Sequence, residues 1–107
     1  MSRNDYAARV LQQYRCLPGT YGRILRGDRR LALALHDRGV QLKVVEDAFV
    51  LTVARRHFRS DADTLEPIRS LHYLLPVIDE MLHSPPEPGY LQHLKRKLEK
   101  AGVRLGA

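Results

Sequence analysis

The stretch that most constrains the fold covers residues 28–59, where an apolar pattern of helical period is broken once, at Gly39. Glycine takes the left-handed conformation that closes a helix at little cost, so Gly39 predicts the end of one helix and a turn into the next. The following helix is predicted from Gln41 to Phe58. Its inward face is expected to hold Leu42, Val45, Ala48, Phe49, Thr52 and Val53.

Short polar side chains mark where the first two helices should begin. Asn4 or Asp5 can accept hydrogen bonds from free backbone N–H groups, and so is expected to cap a helix that runs to about Leu17. Asp28 is expected to cap the helix that precedes Gly39 in the same way. The segment between these helices, residues 20–27, is compatible with either a short helical turn or an extended connection.

Prolines indicate the helix boundaries and the linker in the second half of the chain. Glu66 stands at capping-box spacing from the polar loop before it, and Pro67 suits the first turn of a fourth helix. Pro76 lies inside that pattern and predicts a kink or a split into two short helices. Residues 85–89 form a proline-rich linker. A last amphipathic helix follows, with an apolar stripe made of Leu91, Leu94 and Leu98.

These elements predict an all-α fold: a compact bundle of four to five helices with a helix-turn-helix-like hairpin. The 107 residues suit one helical domain over residues 1–84, the linker at 85–89 and a basic C-terminal helix over 90–107. The chain has no Trp, and its apolar residues are mainly Leu, Val and Ala, which fits a helical core.

The charge balance indicates an acidic partner. Lysine and arginine number 18 against 12 acidic residues, and the sequence pI is about 9.9. Residues 1–59 carry 12 basic and 5 acidic side chains, whereas residues 60–88 carry 1 and 6. A basic excess suits nucleic-acid phosphates, while the acidic middle could also pair with the basic parts, within the chain or between copies.

Arginine presents a planar fork to phosphate oxygens, so the arginine clusters before and along the first helix of the hairpin and at the end of its second helix are the candidate phosphate contacts. If the two helices are antiparallel, these clusters meet at one end. Basic residues of the last helix would extend the contact, and Tyr21 could stack on an unpaired base. The candidate residues are Arg23, Arg26, Arg29, Arg30, Arg38, Arg55, Arg56, Arg59, Lys95, Arg96 and Lys97.

The hairpin itself is not expected to read bases in a major groove. Glu46 and Asp47 are predicted to be exposed on its second helix, where they would face phosphates of like charge. The sequence therefore predicts phosphate contacts by arginine, but no helix that reads bases.

Catalytic and metal-binding patterns are not found in the sequence. Cys16 is the single cysteine, which fits a reducing, cytoplasmic setting without disulfides. Arg69, His72 and Tyr73 are the residue types of tyrosine recombinases, but here they sit within five positions instead of in separate segments. The histidines lack metal-ligand spacing. We therefore expect no cofactor, no metal and no enzymatic activity, and no apolar run is long enough for a membrane span.

Two segments carry a family resemblance. The step GVQLKVVEDAF, from Gly39, and the later IRSLHYLLPVIDEML, from Ile68, resemble DnaD-like replication domains over residues 20–83. Tyr73 and Ile78 are nearest to the family's closing aromatic and aliphatic positions, whose Trp this chain lacks. The chain is also similar to small proteins encoded beside transposase or replication genes on bacterial mobile elements.

Both resemblances imply an accessory role in DNA replication, recombination or transposition. We therefore predict a non-catalytic nucleic-acid-binding protein, with DNA as the first expectation. The alternative is a self-associating protein-interaction adapter that uses Leu91, Leu94 and Leu98.

Overall fold

The computed structural model describes residues 1–105, and within that range the chain folds into five α-helices without a β-strand. The predicted all-α bundle of four to five helices is confirmed. Single turns of 3-10 helix occupy Ala62–Thr64 and Leu71–Leu74. The α-helices are α1 (Arg3–Arg15), α2 (Arg26–Asp37), α3 (Leu42–His57), α4 (Leu75–His83) and α5 (Pro88–Lys100).

Helix α3 lies at the centre of the bundle. It packs on α1, α4, α5 and the 3-10 turn Leu71–Leu74, whereas α2 packs mainly on α1. Five of its six predicted inward residues are buried, and Leu42 is half-buried. Burial nevertheless extends beyond one face, because neighbours cover α3 on several sides: its buried residues are Val45, Asp47, Ala48, Phe49, Val50, Leu51, Thr52, Val53 and Ala54.

The turn between α2 and α3 forms as the sequence predicts. Gly39 has a φ of 78°, in the left-handed region. Its N–H donates to the carbonyl of His36 at 2.9 Å, and the N–H of Val40 donates to the carbonyl of Leu35 at 3.1 Å. These two bonds satisfy carbonyl groups that the end of α2 would otherwise leave free.

Both predicted N-caps are wrong. Ser2 caps α1, because its Oγ accepts from the N–H of Asp5 at 3.0 Å. Helix α2 begins two residues before Asp28, so Asp28 lies in its first turn instead of at its cap. The Asp28 side chain is buried, and it reaches back to accept a hydrogen bond from the N–H of Leu25 at 2.9 Å.

The predicted start of the fourth helix is also wrong. Pro67 lies in an extended segment, and α4 begins at Leu75 with Pro76 in its first turn. Proline costs little there, because the first N–H groups of a helix have no partner within the helix. The extended segment is held instead by the N–H of Ile68, which donates to the carbonyl of Gly19 at 2.6 Å.

Helix α5 docks on the rest of the chain. It packs on α3, and its apolar stripe (Leu91, Leu94 and Leu98) is buried in the same core as the other helices. These leucines therefore do not form a free surface, which corrects their assignment as a contact with a partner or a second copy. The proline-rich segment joins two packed helices. Positions 106 and 107 of the predicted C-terminal segment lie outside the described residues.

No α-helix within residues 1–105 combines the length and the apolar character needed to cross a membrane.

Candidate nucleic-acid interface

Three of the predicted contact arginines are paired with carboxylates of the acidic middle segment. Each pair joins an arginine of the basic first half to an acidic residue between positions 60 and 88, so that part of the charge asymmetry is neutralised within the chain. The hydrogen bond from Arg59 also lowers the pKa of the Asp61 carboxyl. The pairs are Arg38–Asp79 at 3.6 Å, Arg55–Glu80 at 2.8 Å and Arg59–Asp61 at 2.9 Å.

Four other predicted arginines remain exposed around the start of α2. Among residues 1–105, none of their side chains makes an ion pair or a protein hydrogen bond: they are Arg23, Arg26, Arg29 and Arg30. Arg26 and Arg30 are one helical turn apart and share a face. Because Asp28 is buried, the charged side chains that this turn presents to solvent are all positive.

Two irregular segments meet beside this cluster. Thr20 pairs with Ile68 in an isolated parallel β-bridge, which places Tyr21 next to Arg69. The guanidinium carbon of Arg69 lies 6.0 Å from the centroid of the Tyr21 ring. Sequence reasoning did not include Arg69 among the phosphate contacts, because it is the single cation of the acidic stretch and its neighbour lies 48 positions away.

Arg56, on α3, makes hydrogen bonds to the same region. Its Nη1 donates to the Tyr73 hydroxyl at 2.9 Å and its Nη2 donates to the carbonyl of Glu66 at 2.7 Å. Its guanidinium carbon also lies 5.4 Å from the centroid of the Tyr73 ring. Arg56 was predicted to contact phosphate. Its donors are instead directed at the protein, so that it fixes Tyr73 in place.

These side chains form one exposed surface, which we call the arginine–tyrosine surface. It joins the segment before α2, the first turns of α2 and the segment before α4. Its members are Tyr21, Arg23, Arg26, Arg29, Arg30, Arg69 and Tyr73.

The basic residues of α5 lie apart from this surface. Lys95 lines a groove with Gln41 at the start of α3, about 20 Å along the helix from Arg56 at 1.5 Å per residue. The Nζ of Lys97 lies 4.5 Å from the centroid of the Phe58 ring, on the side of α3 that carries Arg55. Arg96 is exposed between them. The structure does not bring these three cations together with the arginines of α2.

Helix α3 is not available to a DNA groove, since other helices cover it. Asp47, which was predicted to be exposed, is buried and lies 3.3 Å from the Nζ of Lys43. Glu46 accepts a hydrogen bond from the side-chain amide of Gln13 on α1. Asp47 is therefore buried and Glu46 half-buried, which corrects the expectation that both are exposed.

The candidate catalytic residues Arg69, His72 and Tyr73 are all exposed, and the Tyr73 hydroxyl is held by Arg56. Within residues 1–105, no three His, Cys, Asp or Glu side chains are grouped closely enough to hold a metal ion. The chemistry that this part of the molecule offers is mainly positive charge and flat aromatic surface, with one exposed carboxylate, Glu66, whose Oε2 lies 4.0 Å from Arg69 Nη2.

Neither a family model, nor a curated protein, nor a solved structure gives a match to this chain.

Proposed function

We propose that this protein is a non-catalytic nucleic-acid-binding accessory protein that contacts phosphates through the arginine–tyrosine surface. One observation carries the proposal. Three predicted arginines elsewhere are paired with carboxylates, whereas the four around the start of α2 have no protein partner among the described residues. Charge that the fold leaves unpaired in one place is available to an anionic ligand.

The resemblance to DnaD-like domains gives the proposal its setting. In that setting, the protein assists DNA replication, recombination or transposition in bacteria or on a mobile element, and works in the cytoplasm. The arginines supply binding energy that does not depend on base sequence, because phosphate contacts carry no base information. Target selection would then rest with another component of the same assembly.

A titration of labelled oligonucleotides at two salt concentrations tests the proposal. Fluorescence anisotropy with a duplex and with a single strand should show binding at low salt that weakens steeply as salt rises. Each phosphate contact that is lost should reduce the slope of log K against log salt by about 0.7 to 0.9. An absence of binding at low salt, or binding that is insensitive to salt, would exclude the phosphate-contact model.

A matched pair of variants locates the contact. Arg26→Gln/Arg30→Gln removes two charges from the arginine–tyrosine surface, whereas Arg9→Gln/Lys100→Gln removes two charges from elsewhere on the protein. The first variant should weaken binding by about ten-fold or more and lower the salt slope by about 1.5. The second should stay close to the parent protein. Equal losses in both variants would mean that net charge, and not this surface, drives binding.

A separate substitution tests the cations of α5. Changing Lys95, Arg96 and Lys97 to Gln should leave the salt slope close to that of the parent protein, because these residues lie away from the arginine–tyrosine surface. A slope lowered as far as in the Arg26/Arg30 variant would extend the interface to α5, as the sequence first indicated.

A further inference from the structure

Two tyrosines are exposed within the arginine–tyrosine surface. Tyr21 is 54% exposed and Tyr73 is 47% exposed, although both belong to a small protein whose other aromatic residues include the buried Tyr6 and Tyr14. An aromatic ring left in water forgoes a large apolar contact, so exposed rings beside a binding surface are candidates for contact with a ligand.

Contacts within the protein restrain both tyrosines before any ligand arrives. The Tyr73 hydroxyl accepts from Arg56 Nη1 at 2.9 Å, which limits rotation of that side chain. Thr20, the residue before Tyr21, pairs with Ile68, and the guanidinium carbon of Arg69 lies 6.0 Å from the centroid of the Tyr21 ring. A ring positioned in advance loses little conformational entropy when a flat group stacks on it.

We infer that the ligand of this surface is a single-stranded nucleic acid whose unpaired bases stack on Tyr21 and Tyr73 while its phosphates contact the arginines. The inference rests on the proposed function and specifies its ligand. The faces of the bases in a duplex are already stacked on one another, so that two tyrosine rings would add nothing to duplex binding. In a single strand the faces are open, and stacking on aromatic side chains accepts any base.

The burial of α3 also favours a single strand over a duplex as the ligand. Duplex recognition commonly inserts a helix into the major groove, and the central helix of this fold is enclosed by α1, α4 and α5. The exposed positive side chains lie at the start of α2 and in the segments beside it, next to the two exposed tyrosine rings. DNA and RNA single strands share the chemistry that this surface recognises.

The decisive experiment compares a strand that carries bases with an abasic strand of the same phosphate number, and with a duplex in which the bases are already stacked. The probes are an oligothymidine of about 12 nucleotides, the same length of abasic strand, a matched duplex and an oligouridine, all at one low salt concentration. We expect the oligothymidine to bind at least five-fold more tightly than the abasic strand and the duplex. The oligouridine arm separates DNA from RNA as the source of the strand.

Variants of Tyr21 test the stacking directly. Tyr21→Ala should weaken binding of oligothymidine by about five-fold to 100-fold and leave binding of the abasic strand unchanged, whereas Tyr21→Phe should retain most of the affinity. Tyr90→Ala, which removes an equally exposed ring beside Phe58, is the matched control and should bind like the parent protein. Thermal unfolding followed by circular dichroism confirms that each variant is folded.

The outcomes separate the two proposals. If no probe binds at low salt, the proposed function itself fails. If strand, abasic strand and duplex bind alike with steep salt dependence, phosphate binding stands and the single-strand inference is wrong. Equal affinity of Tyr21→Ala and Tyr21→Phe for oligothymidine, or preference for the duplex, would overturn the inference in the same way.

Discussion

Asp28 Oδ1 accepts a hydrogen bond from the backbone N–H of Leu71 at 2.8 Å, although the two residues are 43 positions apart. The other carboxylate oxygen accepts from the N–H of Leu25 at 2.9 Å. One buried side chain therefore satisfies the start of α2 and the 3-10 turn before α4 together. A buried N–H without an acceptor costs about 1–3 kcal/mol, so this carboxylate has a structural role that its neighbours on α2 do not share.

Substitution of Asp28 should destabilise the protein in proportion to the acceptors lost. Asp28→Asn replaces one oxygen by an amide donor, and we expect the free energy of unfolding to fall by about 1–3 kcal/mol. Asp28→Ala removes both acceptors and should cost more. Urea denaturation measures the difference, with Asp63→Asn, at an exposed position of the 3-10 turn Ala62–Thr64, as a control expected within about 0.5 kcal/mol of the parent protein. Asn and Ala variants as stable as the control would contradict the role of Asp28 as hydrogen-bond acceptor for both N–H groups.

The hydroxyl of Thr52 is buried in α3 and has no hydrogen-bond partner among the described residues. Thr52→Val removes this unsatisfied group and keeps the branched shape, so the free energy of unfolding should rise by about 1 kcal/mol. Thr52→Ser keeps the hydroxyl, removes the methyl group and should lower stability instead. Chemical denaturation distinguishes the two, and a destabilised Val variant would reveal a partner for the hydroxyl.

Leu98 is fully buried where α5 meets the core. Leu98→Ala should lower the free energy of unfolding by about 2–5 kcal/mol, because it leaves a cavity between helices that unfold together. Leu82→Ala, at an exposed position on α4, is the matched control and should change stability far less. A Leu98→Ala variant with an unchanged main transition would mean that α5 folds apart from the bundle.

Burial, followed by the charge of Asp28, raises the pKa of Tyr14 to about 12, against an ordinary value of 10.0. The folded state therefore holds this phenol proton above pH 10, where the unfolded chain releases it, and the free energy of unfolding should fall as the pH rises from about 10 to 12. Tyrosinate absorbance should show a late phase that Tyr14→Phe removes. Burial also raises the pKa of Tyr6, so part of the alkaline loss should remain in that variant. A Tyr14→Phe variant with the parent's titration curve would refute the assignment.

Local patterns in the sequence were sufficient to predict the presence of the helices, the Gly39 turn and most of the inward face of α3. Each depends on spacing within about 20 residues, which the chain displays directly. The start of α4 was missed because Glu66 and Pro67 also satisfy the signals of a helix start. The competing interaction, the hydrogen bond from Ile68 to Gly19, joins residues 49 positions apart.

The candidate surface was likewise predictable only where it depends on local sequence. The arginines around Asp28 could be identified from their positions in the sequence. The sequence could not show which of the predicted cations stay unpaired. Pairs such as Arg38–Asp79 and Arg55–Glu80 form between elements whose relative positions the sequence does not state. The contact between Arg69 and the Tyr21 ring could not be predicted for the same reason.

The pairing of Thr20 with Ile68 also has a kinetic consequence. A contact across 48 residues forms only after a long loop has closed, and loop closure of this kind delays folding. The two parts of the arginine–tyrosine surface therefore come together only when the segment before α2 meets the segment before α4, and neither part alone displays the surface. Amide hydrogen exchange at Ile68 would consequently report the opening of this surface, and a bound ligand should slow that exchange.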